Sequence, residues 1–462
     1  MRKTLTLVMA LAAIACSSPK HEVVTANGDT GNKKSSALEV QIPVEKVELA
    51  NGLTVLIVPN HKLPIFSYYT FYKVGSKFEG KGITGASHFL EHMMFKGAKK
   101  FPEGVFDHYI EANGGNTNAF TTYDQTVYYQ NLPLPTLEKI VEMEADRMEN
   151  LALNPDSFEK ERQVILEERK MRYENSPGGQ LYQLMLEEMM KGTPYETSVI
   201  GSIPDLKSVT RDQIQEYFKT FYAPNNAIIV VVGDVDSKKL MKLIEKNFGS
   251  IPKSEKLAEL KAKVEKDELF KGKPNFGKVY KVKGETPEPL FALAYAGDKI
   301  GTRRAFVMDL LSNILTEGVG SYLNQKFVSG DKQILSGIDA ANYNLENSGV
   351  FFLKGSLLKG KNFDAFIKDL KSTLKKSCDV AITDQSMQKT KNQYLISAYG
   401  ELETNDGTAI FLGTRESLFG DFRFYEKEFA IYDSITKEEI ISECKKIFGT
   451  DKSVLFSLWE KN

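Results

Sequence analysis

The chain has 462 residues, 42% hydrophobic and 26% charged, with 60 Lys and Arg against 61 Asp and Glu and a formal net charge of −1. That length provides for roughly two to four domains with ample cores. The balanced charge excludes both a basic stripe for nucleic acid and an acidic field for a basic partner.

The N-terminus reads as a targeting segment. Arg2 and Lys3 precede Leu5 to Ile14, an apolar stretch of about ten residues that is too short for a permanent membrane span. It ends in Ala12-Ala13-Ile14-Ala15-Cys16-Ser17-Ser18. Small residues before a cysteine resemble a bacterial lipoprotein signal, with Ala13 where Leu is more usual. The resemblance implies cleavage before Cys16 and lipidation of its thiol. The protein would then be anchored on the periplasmic side, at the outer membrane rather than the inner. The other reading is a plain secretory signal cleaved after Ala15. Either way the protein is expected to be exported. Residues 1–16 are read as the signal with its lipid-accepting cysteine. Residues 17–40, rich in Ser, Lys, Asn and Gly, are read as a flexible tether.

The body follows as two halves, 41–252 and 277–462, with a Lys- and Glu-rich linker at 253–276. In the first half, Lys46 to Leu49 and Thr54 to Val58 flank the hairpin signal Asn51-Gly52, and Ile65 to Val74 is a further strand. Next comes Gly85-Ala86-Ser87-His88-Phe89-Leu90-Glu91-His92-Met93-Met94-Phe95, an apolar run with no Pro. On a helix His88 and His92 lie on one face a turn apart, and Glu91 lies on the same side. Two neutral imidazoles suit Zn²⁺, and a neighbouring carboxylate can take a proton from water. The order H-x-x-E-H inverts the commoner zinc-protease helix. Phe106 to Asn113 reads as a helix and Asn116 to Asn131 as a strand pair. Leu137 to Met148 and Ser157 to Glu174 are helical by periodicity. Ile228 to Val232 is a buried strand, and Lys238 to Phe248 a helix.

The second half repeats this order. Val279 to Val282, Leu290 to Tyr295 and Gly349 to Leu353 read as strands. Arg303 to Leu315 is a helix at the place of the His88 helix, but it has no His, and Asp309 is its only acid. Phe363 to Leu374 and Ser386 to Tyr399 are helices, and Val454 to Trp459 is the last strand. Chemistry in one copy suggests duplication, with the second copy serving as a wall. The expected fold class is α+β: two homologous domains, each a mostly antiparallel sheet with helices packed on one face. After Cys16 only Cys378 and Cys444 remain. Pairing them requires Cα atoms within reach, which a sequence does not show. The expectation is two isolated buried thiols.

A catalytic zinc site needs a third protein ligand and an open position. Candidates lie in Glu161-Arg162-Gln163-Val164-Ile165-Leu166-Glu167-Glu168. Glu161 and Glu168 share a helix face to within about 20°, and Glu167 lies about 100° away from Glu168. Pattern alone does not separate Glu167 from Glu168. Here the chain resembles the pitrilysin/insulinase family of zinc metallopeptidases, from about Val44 to the C-terminus. In that family H-x-x-E-H is followed by E-R-x-V-x-x-x-E, whose last Glu binds the metal. Glu168 matches it and follows His92 by 76 residues. Gly114 to Thr121, Asp124 to Tyr128, Pro194-Tyr195 with Gly201, Tyr222 to Asn226 and Gly233-Asp234-Val235 also match, in the family's order. The resemblance implies peptide hydrolysis with one Zn²⁺ on His88, His92 and Glu168, Glu91 as base and Glu161 as the supporting acid. It also implies that substrate backbone adds to the strand at Asn118, Ala119, Phe120 and Thr121, and that the chain forms half of a clamshell.

One departure bears on partners. Self-sufficient family members carry an Arg and a Tyr in the second half that bind substrate and steady the oxyanion. Here the corresponding positions read Phe327-Val328-Ser329 and Gln333-Ile334-Leu335. An oxyanion donor is typically worth about 2.7–4 kcal/mol of barrier, and Tyr343 is the local substitute on offer. The expectation is a heterodimer, like mitochondrial processing peptidase, whose other subunit supplies Arg and Tyr. The alternatives are a homodimer with another donor and a non-catalytic zinc-binding scaffold.

Overall fold

The computed structural model describes residues 41–330 and 333–460. The signal segment, Cys16 and the tether of the sequence reading lie outside the described residues.

The first sheet comprises β1 (Glu45–Glu48), β2 (Thr54–Pro59), β3 (Ile65–Tyr72), β4 (Asn116–Thr121), β5 (Thr126–Pro133) and β6 (Ala227–Gly233), ordered β1-β2-β6-β3-β5-β4. The second comprises β7 (Val279–Gly284), β8 (Leu290–Ala296), β9 (Leu335–Asn344), β10 (Gly349–Leu357) and β11 (Val454–Glu460), ordered β7-β11-β8-β10-β9. With β1 set aside, the orders coincide. Each starts with a parallel pair, β2 with β6 and β7 with β11. Antiparallel neighbours follow in both. The β6 run Ala-Ile-Ile-Val-Val-Val-Gly is buried at every position, as a central strand covered on both faces must be.

Two different sources cover those faces. Side chains alternate across a strand, so Val55, Ile57, Tyr68, Ile229 and Val231 meet the first half's own helices, including Phe89 and Leu90. Leu56, Val58, Tyr69, Phe71, Val230 and Val232 point the other way and meet Ala409, Phe411 and Leu412. Those three belong to the helix Asn405–Phe419 of the second half. The approach there is close, because a Cβ on Gly413 would lie 2.1 Å from the Phe71 ring. The arrangement is reciprocal. The helix Pro177–Met189 of the first half sends Leu181, Met185 and Met189 against Ala292, Ala294, Phe352, Phe456 and Leu458 of the second sheet. Each exchanged element is the third α-helix after its half's corresponding strand, β5 or β10.

The segment 253–276, read as a linker, is packed. It contains the helix Leu257–Val264, buries Leu257 in the first core and buries Phe270 beneath the second sheet. Among the described residues no helix is long and apolar enough to cross a membrane.

The cysteines correct the sequence reading. Cys378, on the helix Phe363–Val380, and Cys444, on the helix Lys437–Phe448, form a disulfide with Cα atoms 5.5 Å apart. Two helices far apart in sequence lie side by side, and the residue pattern carried no sign of that proximity. The bond links positions 66 residues apart, and the loop-closure model assigns such a link on the order of 4 kcal/mol. Reduction, or the Cys378→Ser/Cys444→Ser pair, is expected to lower the thermal unfolding temperature. Unfolding at the wild-type temperature in both cases would show that the bond contributes no stability.

Candidate metal centre

The helix Ala86–Met93 is short and held on all sides. Phe89, Leu90 and Met93 are fully buried in the first core, each contributing about 1.5–3 kcal/mol by removal from water. At its N-terminus the Glu79 carboxylate accepts hydrogen bonds from the Gly85 and Ser87 amides, at 2.6 and 2.7 Å. Those are donors that a helix leaves without partners, at its positive end. Gly85 has φ +92°, and a Cβ there would lie 2.6 Å from the Ile200 carbonyl oxygen.

The helix Pro155–Arg169 packs across it. Asn154 caps its start by accepting from the Asp156 and Ser157 amides. Phe158 stacks on Phe89 with ring centroids 4.5 Å apart. The Arg162 guanidinium lies over the Phe158 ring and donates to the Leu206 and Val209 carbonyls. This contact sets the two helices so that Glu168, and not Glu167, faces the imidazoles. Glu168 Oε2 lies 3.3 Å from His92 Nε2 and 3.7 Å from His88 Nε2. Glu167 is exposed. Donor atoms of His88, His92 and Glu168 all lie within 4.8 Å of one another.

Around this trio the other acids take separate places. Glu161 Oε2 is 3.0 Å from His92 Nδ1, and its Oε1 is 2.8 Å from Lys96 Nζ. It therefore orients His92 from behind, as second carboxylates do at metal-binding histidines. Glu91 is beside the trio and outside it, and accepts a 2.6 Å hydrogen bond from the Thr121 hydroxyl. Thr121 ends β4, an edge strand that among the described residues pairs only with β5. Along β4, Asn118 is exposed, Ala119 packs on the first core and Phe120 packs on the opposite face of the sheet. Tyr343 lies on β9, with its ring 6.5 Å from that of Tyr123.

Burial, aided by the neighbouring His92, pushes His88 down to about 3, so it stays neutral. Burial opposes a charge on His92 too, but the hydrogen bond to Glu161 and the nearness of Glu168 hold it up at about 9. For Glu168, burial is outweighed by His92, His88 and Arg172, which bring it down to about 2. Burial raises Glu91, and the Thr121 hydroxyl offsets part of the rise.

The donor set fits a divalent cation. Nδ1 of His88 and both oxygens of Glu168 are buried without a hydrogen bond. Arg172 Nη2 does lie 2.6 Å from Glu168 Oε1, as an ion pair that lacks hydrogen-bond alignment. Buried polar atoms left this way are unfavourable, and a cation held by Nε2 of both imidazoles and Oε2 of Glu168 would satisfy that oxygen. Two imidazoles and one carboxylate form the three-ligand set of catalytic zinc.

Sequence reasoning overlooked three supporting residues. Lys96 sits four residues beyond His92, and Arg172 four beyond Glu168. Arg172 was visible as an i,i+4 charge pairing, whereas the partner of Lys96 is Glu161 on another helix, which local spacing does not reveal. Glu79 gave no local signal, because its reach to the helix depends on the path of the loop between.

A family model described as insulinase, peptidase family M16, matches residues 57–202, and one described as the peptidase M16 inactive domain matches residues 208–394. The chain is 32% identical over 380 residues to the zinc protease PqqE of Helicobacter pylori, covering 82% of this chain and 83% of that protein. It is 33% identical over 217 residues to mitochondrial-processing peptidase subunit beta of Blastocladiella emersonii, 46% of each. The crystal structure of a protease from Helicobacter pylori superimposes with a TM-score of 0.81 at 28% identity, covering 90% of this chain and 100% of that one.

A ligand imidazole must be neutral, and without the ion His92 keeps its proton below about pH 9. Binding therefore displaces a proton below that pH, and apparent affinity for Zn²⁺ is expected to rise about tenfold per unit between roughly pH 6 and 8. Chelator competition measures this, and a flat profile would contradict a protonated His92. By the same assay Glu161→Gln is expected to weaken binding about 10–100-fold.

Proposed function

The chain belongs to the insulinase family of peptidases, M16, and from that premise we propose that it is a zinc-dependent endopeptidase acting on short or unfolded polypeptides. The observation that carries this is the convergence of His88, His92 and Glu168 with Glu91 beside them and the free edge of β4 leading to Glu91 through Thr121. His88, His92 and Glu168 would hold the ion, which when bound polarises a carbonyl and makes water more acidic.

The chain's own residues supply the rest. An extended peptide adds to β4 by main-chain hydrogen bonds at Asn118, Ala119, Phe120 and Thr121, which requires little sequence specificity. Glu91, whose affinity for a proton burial raises, takes the proton of the attacking water and gives it to the leaving amine. One C–O bond forms and the peptide C–N bond breaks. The Thr121 hydroxyl aims the Glu91 carboxylate, and Glu161 keeps His92 turned inward.

We further propose that the chain works with a homologous partner that supplies an Arg and a Tyr. Tyr343 gives little support to a local substitute: it packs in the cluster with Tyr123 and Tyr182. The similarity to a protein named as a subunit supports the heterodimer over a homodimer. A non-catalytic scaffold is disfavoured because Glu91 stays beside the three ligands, where hydrolysis needs it. Export as a lipid-anchored protein through Cys16 is part of the same proposal, and the buried disulfide supports an oxidising compartment.

Glu91→Gln is expected to bind zinc as the wild type does and to lose about 10²–10⁴-fold of peptide hydrolysis. Full turnover in that variant would remove Glu91 as the base. The zinc-loaded chain alone is expected to cleave a quenched fluorescent peptide poorly and to gain activity when a homologous chain lacking H-x-x-E-H is added. Robust turnover alone would sink the heterodimer.

A further inference from the structure

Arg172 has no part in that chemistry, yet its guanidinium lies 2.6 Å from Oε1 of the third ligand, Glu168. The two oxygens of Glu168 thus face different neighbours: Oε1 meets Arg172, and Oε2 meets both imidazoles.

The placement of Arg172 is built by its surroundings. After Arg169 the helix widens into a π-turn, Lys170–Glu174, closed by the Asn175 amide donating to the Lys170 carbonyl at 2.8 Å. Such widened turns recur at functional sites. Before the turn, Arg169 donates to the Gly201 carbonyl at 3.0 Å and pairs with Glu174. After it, the first turn of the helix Pro177–Met189 presses on the Arg172 backbone: a Cβ on Gly179 would lie 1.8 Å from the Arg172 carbonyl oxygen. Ser176 fixes that turn by accepting from the Gly179 amide at 3.2 Å.

We propose that Arg172 is a positioning residue that makes Glu168 a one-oxygen ligand. The proposal rests on the reading that His88, His92 and Glu168 hold a divalent ion. A guanidinium is permanently charged, so an oxygen lying 2.6 Å from it is held by that charge, without an aligned hydrogen bond, and is kept from turning to the ion as well. The remaining oxygen completes a three-donor set and leaves a position open for the reactants. Arg172 also draws charge from the carboxylate, which leaves the ion a stronger electrophile. It does for Glu168 what Glu161 does for His92. A plain surface i,i+4 pair would leave the ion's surroundings unchanged when removed.

The test uses the full chain loaded with Co²⁺ for visible absorption and with Zn²⁺ for X-ray absorption. In Arg172→Gln the visible bands are expected to weaken at least about twofold as the coordination number rises, and the zinc form to gain an oxygen neighbour. kcat falls while KM holds, and Arg172→Lys restores part of both signals. Gly179→Ala, which keeps the guanidinium but displaces its backbone, is expected to shift the spectrum the same way and serves if Arg172→Gln does not fold. A wild-type spectrum in Arg172→Gln and Gly179→Ala overturns the proposal, whether or not KM rises. If the wild type itself takes up no Co²⁺ that His88→Ala abolishes, the metal reading fails and the proposal with it.

Discussion

Two imidazoles and a carboxylate gathered within 4.8 Å of one another, largely shielded from water, form the constraint on which the first half depends. Such a cluster holds together only when its charge state is fixed, by the pairing of His92 with Glu168 and by the groups that flank them. The surroundings meet that need one ligand at a time. Glu161 and Lys96 hold His92, Arg172 pairs with Glu168, and Glu79 ties down the first turn of the helix that carries both histidines. The Phe89–Phe158 stack, with Arg162 over it, sets the distance between the two ligand-bearing helices. The metal chemistry and the local packing are therefore one arrangement: a change at Phe158 would alter ligand spacing as surely as a change at Glu168.

The second half shows the same frame without the chemistry. Its helix Arg303–Thr316 falls between β8 and β9 as the His88 helix falls between β3 and β4. Asp309 is the acid it offers, and burial raises it to about 6. Asn342, Asn344 and Tyr432 all donate to that carboxylate, at 2.8, 3.3 and 2.9 Å. A carboxylate already supplied with three donors is a packing element. Duplicated topology can thus persist with one working site, because strand order and apolar faces maintain the fold independently of what the helix carries.

Much of this was legible from residues. Periodicity located most of the helices and strands, because half-buried elements must alternate apolar and polar residues at their own period. The metal helix was legible because its chemistry lies within five residues. Glu168 was separable from Glu167 only by family resemblance, since the choice depends on the rotation of one helix against another. What remained hidden shares that character. The Cys378–Cys444 bond, the Glu79 contacts and the closeness of Gly179 to Arg172 are each juxtapositions of segments distant in sequence or joined by an irregular loop. An apolar strand face announces that something covers it but not which helix does so, and the exchanged helices were invisible for that reason.

That exchange has a temporal consequence. The outer face of the first sheet, with Leu56, Tyr69, Phe71 and Val230, is covered mainly by the second half between Ala398 and Phe429, the helix of residues 405–419 foremost. A chain emerging N-terminus first therefore completes all six strands of its metal-binding half long before the helix that shields them exists. Until then the half carries a bare apolar face, and the edge strand β4 has a neighbour, β5, whose Asn131 has yet to meet Asp406. Maturation of the His88, His92 and Glu168 site is in this way postponed to the last stretch of synthesis, and a truncated product would be left with all three residues but no finished frame to hold them.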